Sequence, residues 1–589
     1  MGVFYGALIH RNRRSRLLTM TAAAAMYTAL AVLLYQHAWA DPGARIAGGG
    51  DCFSFTWFVA FWPTALRRGW SLVTTHLLFA PGGANLWNST SIPLPSLLVA
   101  PITLVAGPVV AYNALMTGAV AASATAAFGL LRATGRSVFA GGIAGLVYGF
   151  GGYELGQAAG HANLVVAVFP PVVAWCAYRL WVARASPVSI GVVLGLASAA
   201  QLLCSMELLA STILMSAVVV LGALVTVPRC RSRDVIESAI TCLGVAALVS
   251  LPFAVVPVWS YFAGPRHVTG LLQGANTFVV DLAGFVVPPR TVLLSSAASR
   301  AASLRHTGFD GEFAGYVGVP LLVVIAYAWA RLRRVVALPV ACFGVAAVLA
   351  MGSSVHLAGR ITRIPLPMRL LDGLPIAQNI LPARVMVFAW LAAAAIVARL
   401  ADDLVPRLRL TRVALGAAFA SVAVIASLAP SAPVIYLAKL PDGLAAIADE
   451  LGSHGQPPPS VLLTPLHGSS QVAMHYQAGT GFTFALPTGA VFTPDGYGTP
   501  RAEIFGAIRV IEHVDAPPSP SACALAAAAL SIPDICRATL LHQLETAGIR
   551  DVIVTPGPGS DRLLTLFTNL LGPPRVIAQV NVFAVGNRA

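Results

Sequence analysis

The chain has 589 residues, 57% of them hydrophobic and only 10% charged, with a mean hydropathy of +0.78. Soluble domains carry about 25% charged residues, so this composition excludes an ordinary water-soluble globule and requires a polytopic membrane protein. The net charge of +14 rests almost wholly on arginine. The arginines lie in short clusters between apolar runs, which argues against a nucleic-acid face and fits the excess of positive charge on cytoplasmic loops.

The first apolar run, about 17–39, follows RNRRSR and has no clean small-residue cleavage site, so it is expected to remain as the first span. Residues 40–92 hold too many turn formers to cross a membrane and form an outer loop. From Pro93 to Leu131 the chain is apolar for longer than one crossing needs, but Pro93, Pro95, Pro101 and Gly107-Pro108 interrupt its first half. A short interfacial or re-entrant helix followed by a span from Pro108 fits this pattern. Later spans centre on 138–152, 162–180, 188–204, 207–227, 236–258, 315–330, 335–351, 384–398 and 413–433. YRLWVAR, RCRSR, RLRR and RLADDLVPRLRLTR connect them on the cytoplasmic side.

The expected fold is therefore mainly α: a bundle of about eleven spans over 1–433, with a cytoplasmic N-terminus and outer loops 40–92, 259–314 and 352–383. The tail, 434–589, differs in composition. SVLLTPLHG, IRDVIVTPG and RVIAQVNVFAVG read as strands, and ALAAAALSIP and DICRATLLHQLETAG as helices. That gives an extracytoplasmic α/β domain, and PGPGSD in it lacks a dinucleotide fingerprint. Cys523 and Cys536 either pair or remain thiols. Asn88-Ser89-Thr90 is a glycosylation triplet on the outer side, although the alanine-rich, lysine-poor composition points to a bacterial plasma membrane.

Chemistry is expected in the outer loops. GGGDCFSFTWFVAFWPTALRRG places one carboxylate, Asp51, before an aromatic helix expected to lie in the headgroup layer, with Arg67 and Arg68 reaching lipid phosphates. Asp51 either accepts a proton from an attacking hydroxyl or holds a divalent ion, magnesium or manganese, beside a phosphate; otherwise it simply caps the helix. YELGQAAGHANL supplies Glu154, Gln157, His161 and Asn163 between two spans. A carboxylate and an imidazole there would bind sugar hydroxyls, share a metal or assist the base, unless they only satisfy backbone groups. Glu207 lies near membrane level, where an acid is costly. Asp310 reads as a wet rim, whereas Glu312 is a candidate for the site. Arg384 stands at the outer entrance of a span, where a guanidinium can fork onto phosphate. His356, Arg360, Arg363 and Arg369 add positive charge to the same loop.

GDCFSFTWFVAFWPTAL, LFAPGGANLW, APITLVAGPVVAYNAL and YGFGGYELGQAAGHANL, continuing through DLAGFVVP, FAGYVGVP and NILPARVMVFAWL, resemble bacterial membrane proteins of the GT-C glycosyltransferase superfamily. The resemblance covers most of the first 400 residues, and the tail only in outline. It implies a catalytic base or metal ligand at Asp51, with Glu154 as a second acid because the loop lacks the adjacent pair common in the superfamily. It also implies a polyprenyl-phosphate sugar donor and an envelope glycan or lipid acceptor, with transfer on the extracytoplasmic face among membrane lipids. His161, Asn163, Gln157, Arg384, Glu312 and Arg67 would then bind substrate. The competing expectations are a lipid or solute transporter, which should show repeated halves and a path to both sides, and an inactive scaffold that binds envelope glycans.

Overall fold

The computed structural model describes residues 2–49, 51–274, 276–308, 315–374, 377–408, 411–453, 457–466, 470–494, 496–498, 502–512 and 521–586. Asp310 and Glu312 lie outside them.

Lipid offers no partner to a bare backbone, so the apolar runs become helices. Seven described helices are long and apolar enough to cross a membrane: Ser15–Leu34, Pro108–Ala133, Pro187–Cys204, Met206–Thr226, Arg233–Ala263, Val319–Ala350 and Pro382–Arg407. Between the first two of these, Pro93–Leu98 and Ala100–Ala106 are short helices ended by Gly107, and the long helix starts at Pro108. The proline pattern predicts this break.

Val319–Ala350 is two helices rather than one. Leu332 is non-helical inside it, at φ −121° and ψ 23°. Val317 and Gly318 donate to Phe285 O, and Val280 donates to Ala350 O, so both ends sit on the segment 280–285. A straight helix of 32 residues would separate its ends by ~48 Å, whereas five extended residues span at most ~18 Å. The chain must therefore double back near Leu332, where the sequence places the RLRR connection. At that turn Arg331 pairs with Asp403, which also takes Arg407, and Arg136 pairs with Asp402. The RLRR and RLADDLVPRLRLTR connections, both assigned to the cytoplasmic side by charge, thus meet at one end of the bundle, together with the turn that carries Arg136.

Two expected spans are shorter than predicted. Val138–Gly149 has 12 residues and Phe169–Trp181 has 13, about 18–20 Å each against a hydrocarbon core of ~30 Å. The stretch 158–168 between them is largely turn, and Ala162, Leu164, Val165 and Ala167 in it are buried. These residues are apolar because they face protein, which hydropathy cannot tell from lipid.

The outer loops and the tail form the opposite face. Ser460–Thr464 and Ile549–Val554 pair in parallel, Val580–Ala584 runs antiparallel to Ile549–Val554, and Arg575–Ile577 completes a four-stranded sheet. Leu462, Val552, Leu563, Phe567 and Phe583 fill one of its faces with the helices Glu503–Ile511, Asp534–Thr546 and Ser560–Leu571. Cys523 and Cys536 are bonded.

The tail is joined to the first outer loop. Arg45–Ala47 pairs with Ile435–Leu437. Gln477 accepts from the Trp57 indole N–H at 2.6 Å and donates to Leu77 O and Phe484 O, while Thr56 bonds His475 at 2.9 Å. Phe482 stands edge-on to Trp57, Phe61 and Trp70. This corrects the headgroup-layer expectation for the aromatic helix. Cys52–Arg68 is buried from Cys52 through Pro63 beneath the tail and against the bundle, rather than lying in lipid.

Candidate active site

The glycine-rich turn before Asp51 has a steric cause. A Cβ on Gly49 would lie 2.7 Å from Ala159 O, and one on Gly160, at φ +136°, 2.9 Å from Gly49 N. Two turns therefore meet backbone to backbone, which only glycine allows, and this apposition brings Asp51 to His161. Asp51 occupies the position before the helix Cys52–Arg68 with αR backbone angles, and its side chain makes no capping bond. The carboxylate is directed elsewhere: Oδ2 lies 3.3 Å from His161 Nε2, and Oδ1 accepts from Gln471 Nε2 at 2.8 Å.

These groups open onto a cavity of about 190 Å³. Its polar wall includes Asp51, Asn88, His161, Asn163, Glu207, Tyr261 and Arg384. Its apolar wall, with Leu202, Leu203, Met206 and Ala210, belongs to two helices long enough to cross a membrane. Ala490, Phe492 and Tyr497 of the tail line it as well. Burial pushes the Asp51 carboxyl up. The His161 bond and charge, the Gln471 bond and the Arg384 charge outweigh burial and hold it below the ordinary aspartate range. Asp51 is therefore anionic at neutral pH, able to accept a proton or face a cation.

Arg384 is not waiting alone for a phosphate. It is ion-paired with Glu207, whose other oxygen accepts from Leu381 N at 2.8 Å. The membrane-level acid and the entrance arginine are thus one structural unit of the cavity. Asn163 lines the cavity too, and its Nδ2 is buried with no hydrogen-bond partner among the described residues.

The remaining candidates fall elsewhere. Glu154 and Gln157, on the short helix Gly152–Gln157, do not line the cavity; both are fully buried, with side-chain polar atoms unpartnered among the described residues. Arg67 is exposed, and neighbouring Arg68 lies 5.1 Å over the Trp70 ring. His356 is buried between Thr307 and Asn276, and Arg360, Arg363 and Arg369 are exposed away from the cavity lining. Asn88 is built into the wall: its Oδ1 accepts from Val268 N and its Nδ2 donates to Tyr261 O. At 3% exposure it is closed to glycan attachment in the folded protein. Among the described residues no three His, Cys, Asp or Glu side chains are grouped to hold a metal ion. Asp51 and His161 contact each other directly.

Gln471, Tyr261 and Tyr497 gave no sequence signal. Gln471 sits 420 positions from its partner, in a segment whose local pattern is an unremarkable helix.

Burial pushes the Glu154 carboxyl well above the ordinary range. Below about pH 4 both folded and unfolded chains hold this proton. Above it the unfolded chain releases the proton first, so stability falls by about 1.4 kcal/mol per pH unit until the folded group also ionises. Glu154→Gln should therefore raise the thermal midpoint in nanodiscs at pH 8 and leave it unchanged near pH 4. Equal midpoints of mutant and parent at both pH values would contradict a protonated Glu154.

No family model matches the sequence, and no curated protein is similar to it in sequence. Solved structures do match. The mycobacterial arabinofuranosyltransferase AftD superposes at a TM-score of 0.54 with 14% identity, over 97% of this chain and 40% of that one. The archaeal oligosaccharyltransferase AglB from Archaeoglobus fulgidus, in complex with an inhibitory peptide and a dolichol-phosphate, gives 0.50 at 10% identity, over 91% and 69%. An apo oligosaccharyltransferase from the same organism gives 0.52 at 10%, over 93% and 71%. The fold is the one these solved transferases share. This chain spans less than half the length of AftD. The likeness rests on the whole arrangement of bundle, outer loops and tail, since 91% or more of the chain takes part in each of these superpositions.

Proposed function

We propose that the protein is a membrane glycosyltransferase that moves a sugar from a polyprenyl-phosphate donor to a hydroxyl of an envelope glycan or lipid, on the extracytoplasmic face. One observation carries this reading: the Asp51 carboxyl and the Arg384 guanidinium share a cavity walled on one side by helices long enough to cross a membrane and on the other by the tail. A lipid-linked donor has its phosphate at the boundary of bilayer and water, and its acceptor comes from the water. Only a cavity with both kinds of wall receives both. The acceptor oxygen attacks the anomeric carbon and its proton passes to Asp51. The bond from that carbon to the phosphate oxygen breaks, and polyprenyl phosphate leaves with the electron pair opposite Arg384. His161 orients the carboxylate. The GT-C fold supports the reading, and the dolichol-phosphate found with AglB is a lipid phosphate of the required kind.

The test is purified protein in nanodiscs, offered polyprenyl-phosphate carriers of differing sugars. Free polyprenyl phosphate should appear only with an acceptor present. No release from any carrier would end the proposal. The outward face of the tail is tested separately: a cysteine placed at Ser531 should react with a membrane-impermeant thiol reagent in intact cells.

A further inference from the structure

We infer that Gln471 of the tail is a positioning residue for Asp51, so that the active site is complete only with the tail docked; this rests on the transferase reading above. The Asp51 carboxylate has one donor on each oxygen, His161 on Oδ2 and Gln471 on Oδ1. One donor alone leaves a carboxylate free to swing about χ2. Two donors from different elements fix its plane, and thereby the lone pairs that remain to meet an acceptor hydroxyl.

Docking does not depend on Gln471. The strand pair of Arg45–Ala47 with Ile435–Leu437, the Thr56–His475 and Trp57–Gln477 bonds and the Phe482 rings already hold the helix Gln471–Gly479 against Cys52–Arg68. Gln471 is only 8% exposed, and its Oε1 is buried with no hydrogen-bond partner among the described residues. A buried, unpaired carboxamide oxygen is a cost that an apolar side chain of the same shape would avoid. Folding gains little from this choice of residue, and the carboxylate gains a fixed donor. The backbone leading in is also constrained: Ser470 adopts a left-handed φ of 62°, uncommon for a residue other than glycine, and aims the first turn of the helix at Asp51.

Gln471→Met keeps the shape and removes the donor. In nanodiscs, turnover should fall about 10–100-fold with donor KM within about twofold, while the thermal midpoint and the protease resistance of the tail stay at parental values. Unchanged turnover would overturn the inference. So would a loss of turnover that follows release of the tail to protease, because that is a docking role. A second readout needs no turnover: labelling of Asp51 by a water-soluble carbodiimide with glycine ethyl ester, followed by peptide mass spectrometry. A carboxylate relieved of a donor is more basic and more mobile, so Gln471→Met should label faster than the parent, and equal rates would overturn the inference. If the parent protein is inert toward every carrier, the transferase reading fails, and the labelling rates still decide whether Gln471 governs Asp51.

Discussion

Asp51→Asn should lower transfer by about 10²–10⁴-fold, the usual contribution of a positioned general base, while the protein stays folded with its tail docked. The amide has the shape of the carboxylate. Its oxygen can still accept from Gln471 Nε2, and its NH₂ can face His161 Nε2 in the acceptor tautomer, so neither neighbour loses a partner. What disappears is the negative charge that takes the acceptor proton. Because the His161 and Gln471 bonds and the Arg384 charge hold the carboxyl below the ordinary aspartate range against the pull of burial, the parent should keep its activity at acid pH beyond the point where a free aspartate is half protonated. Initial rates across pH, measured as polyprenyl phosphate released, check both statements. Full turnover by the asparagine variant would remove Asp51 from the chemistry.

The bundle was legible because lipid is an unforgiving solvent. A chain crossing it must be apolar and must bond its own backbone, so run length and proline position carry most of the information. The break at Gly107-Pro108 and the turn at Leu332 were both readable, one from prolines and the other from RLRR. The failures came where apolar residues face protein. The turns around Ala162–Ala167 look like membrane to a hydropathy reading. The helix Cys52–Arg68 is apolar nearly all round, which signals complete burial, but its cover comes from Gln471–Gly479 and Phe482, more than 400 residues away. No local pattern encodes that docking.

The site divides in the same way. Asp51, His161, Asn163 and Arg384 lie in or beside the outer connections, and the structure gathers them at one cavity. Glu154 and Gln157 lie in the same short motif as His161, yet they turn into the protein. The helix Gly152–Gln157 ends before His161 and is followed by irregular turns, so Glu154 and His161 do not share a helix face. Glu207 was conspicuous as an acid at membrane depth, but its partner was hidden because 177 residues separate it from Arg384.

That pair gives the other large expected effect. Arg384 and Glu207 side chains are 12% and 17% exposed, so removing one leaves a charge in a partly dry wall. Arg384→Met should destabilise the protein by about 1–3 kcal/mol, less than the 3–5 kcal/mol of a fully buried pair because both side chains retain some water. Glu207→Gln should cost less. Its amide oxygen can still accept from Leu381 N, and the guanidinium keeps the open side of the cavity. The two variants part company on function. If Arg384 meets the donor phosphate, Arg384→Met should raise donor KM about tenfold or more, the loss of one charge-assisted bond. Glu207→Gln should leave donor KM unchanged or lower it, since one anionic competitor for the guanidinium is gone. Arg384→Lys should restore stability better than affinity, because an ammonium supplies the charge without the fork. Thermal midpoints and donor KM measured on the same nanodisc preparations separate these outcomes. A donor KM that does not move in Arg384→Met, with the midpoint lowered, would leave the arginine as an anchor of the span entrance and move donor recognition to the Asn163 side of the cavity.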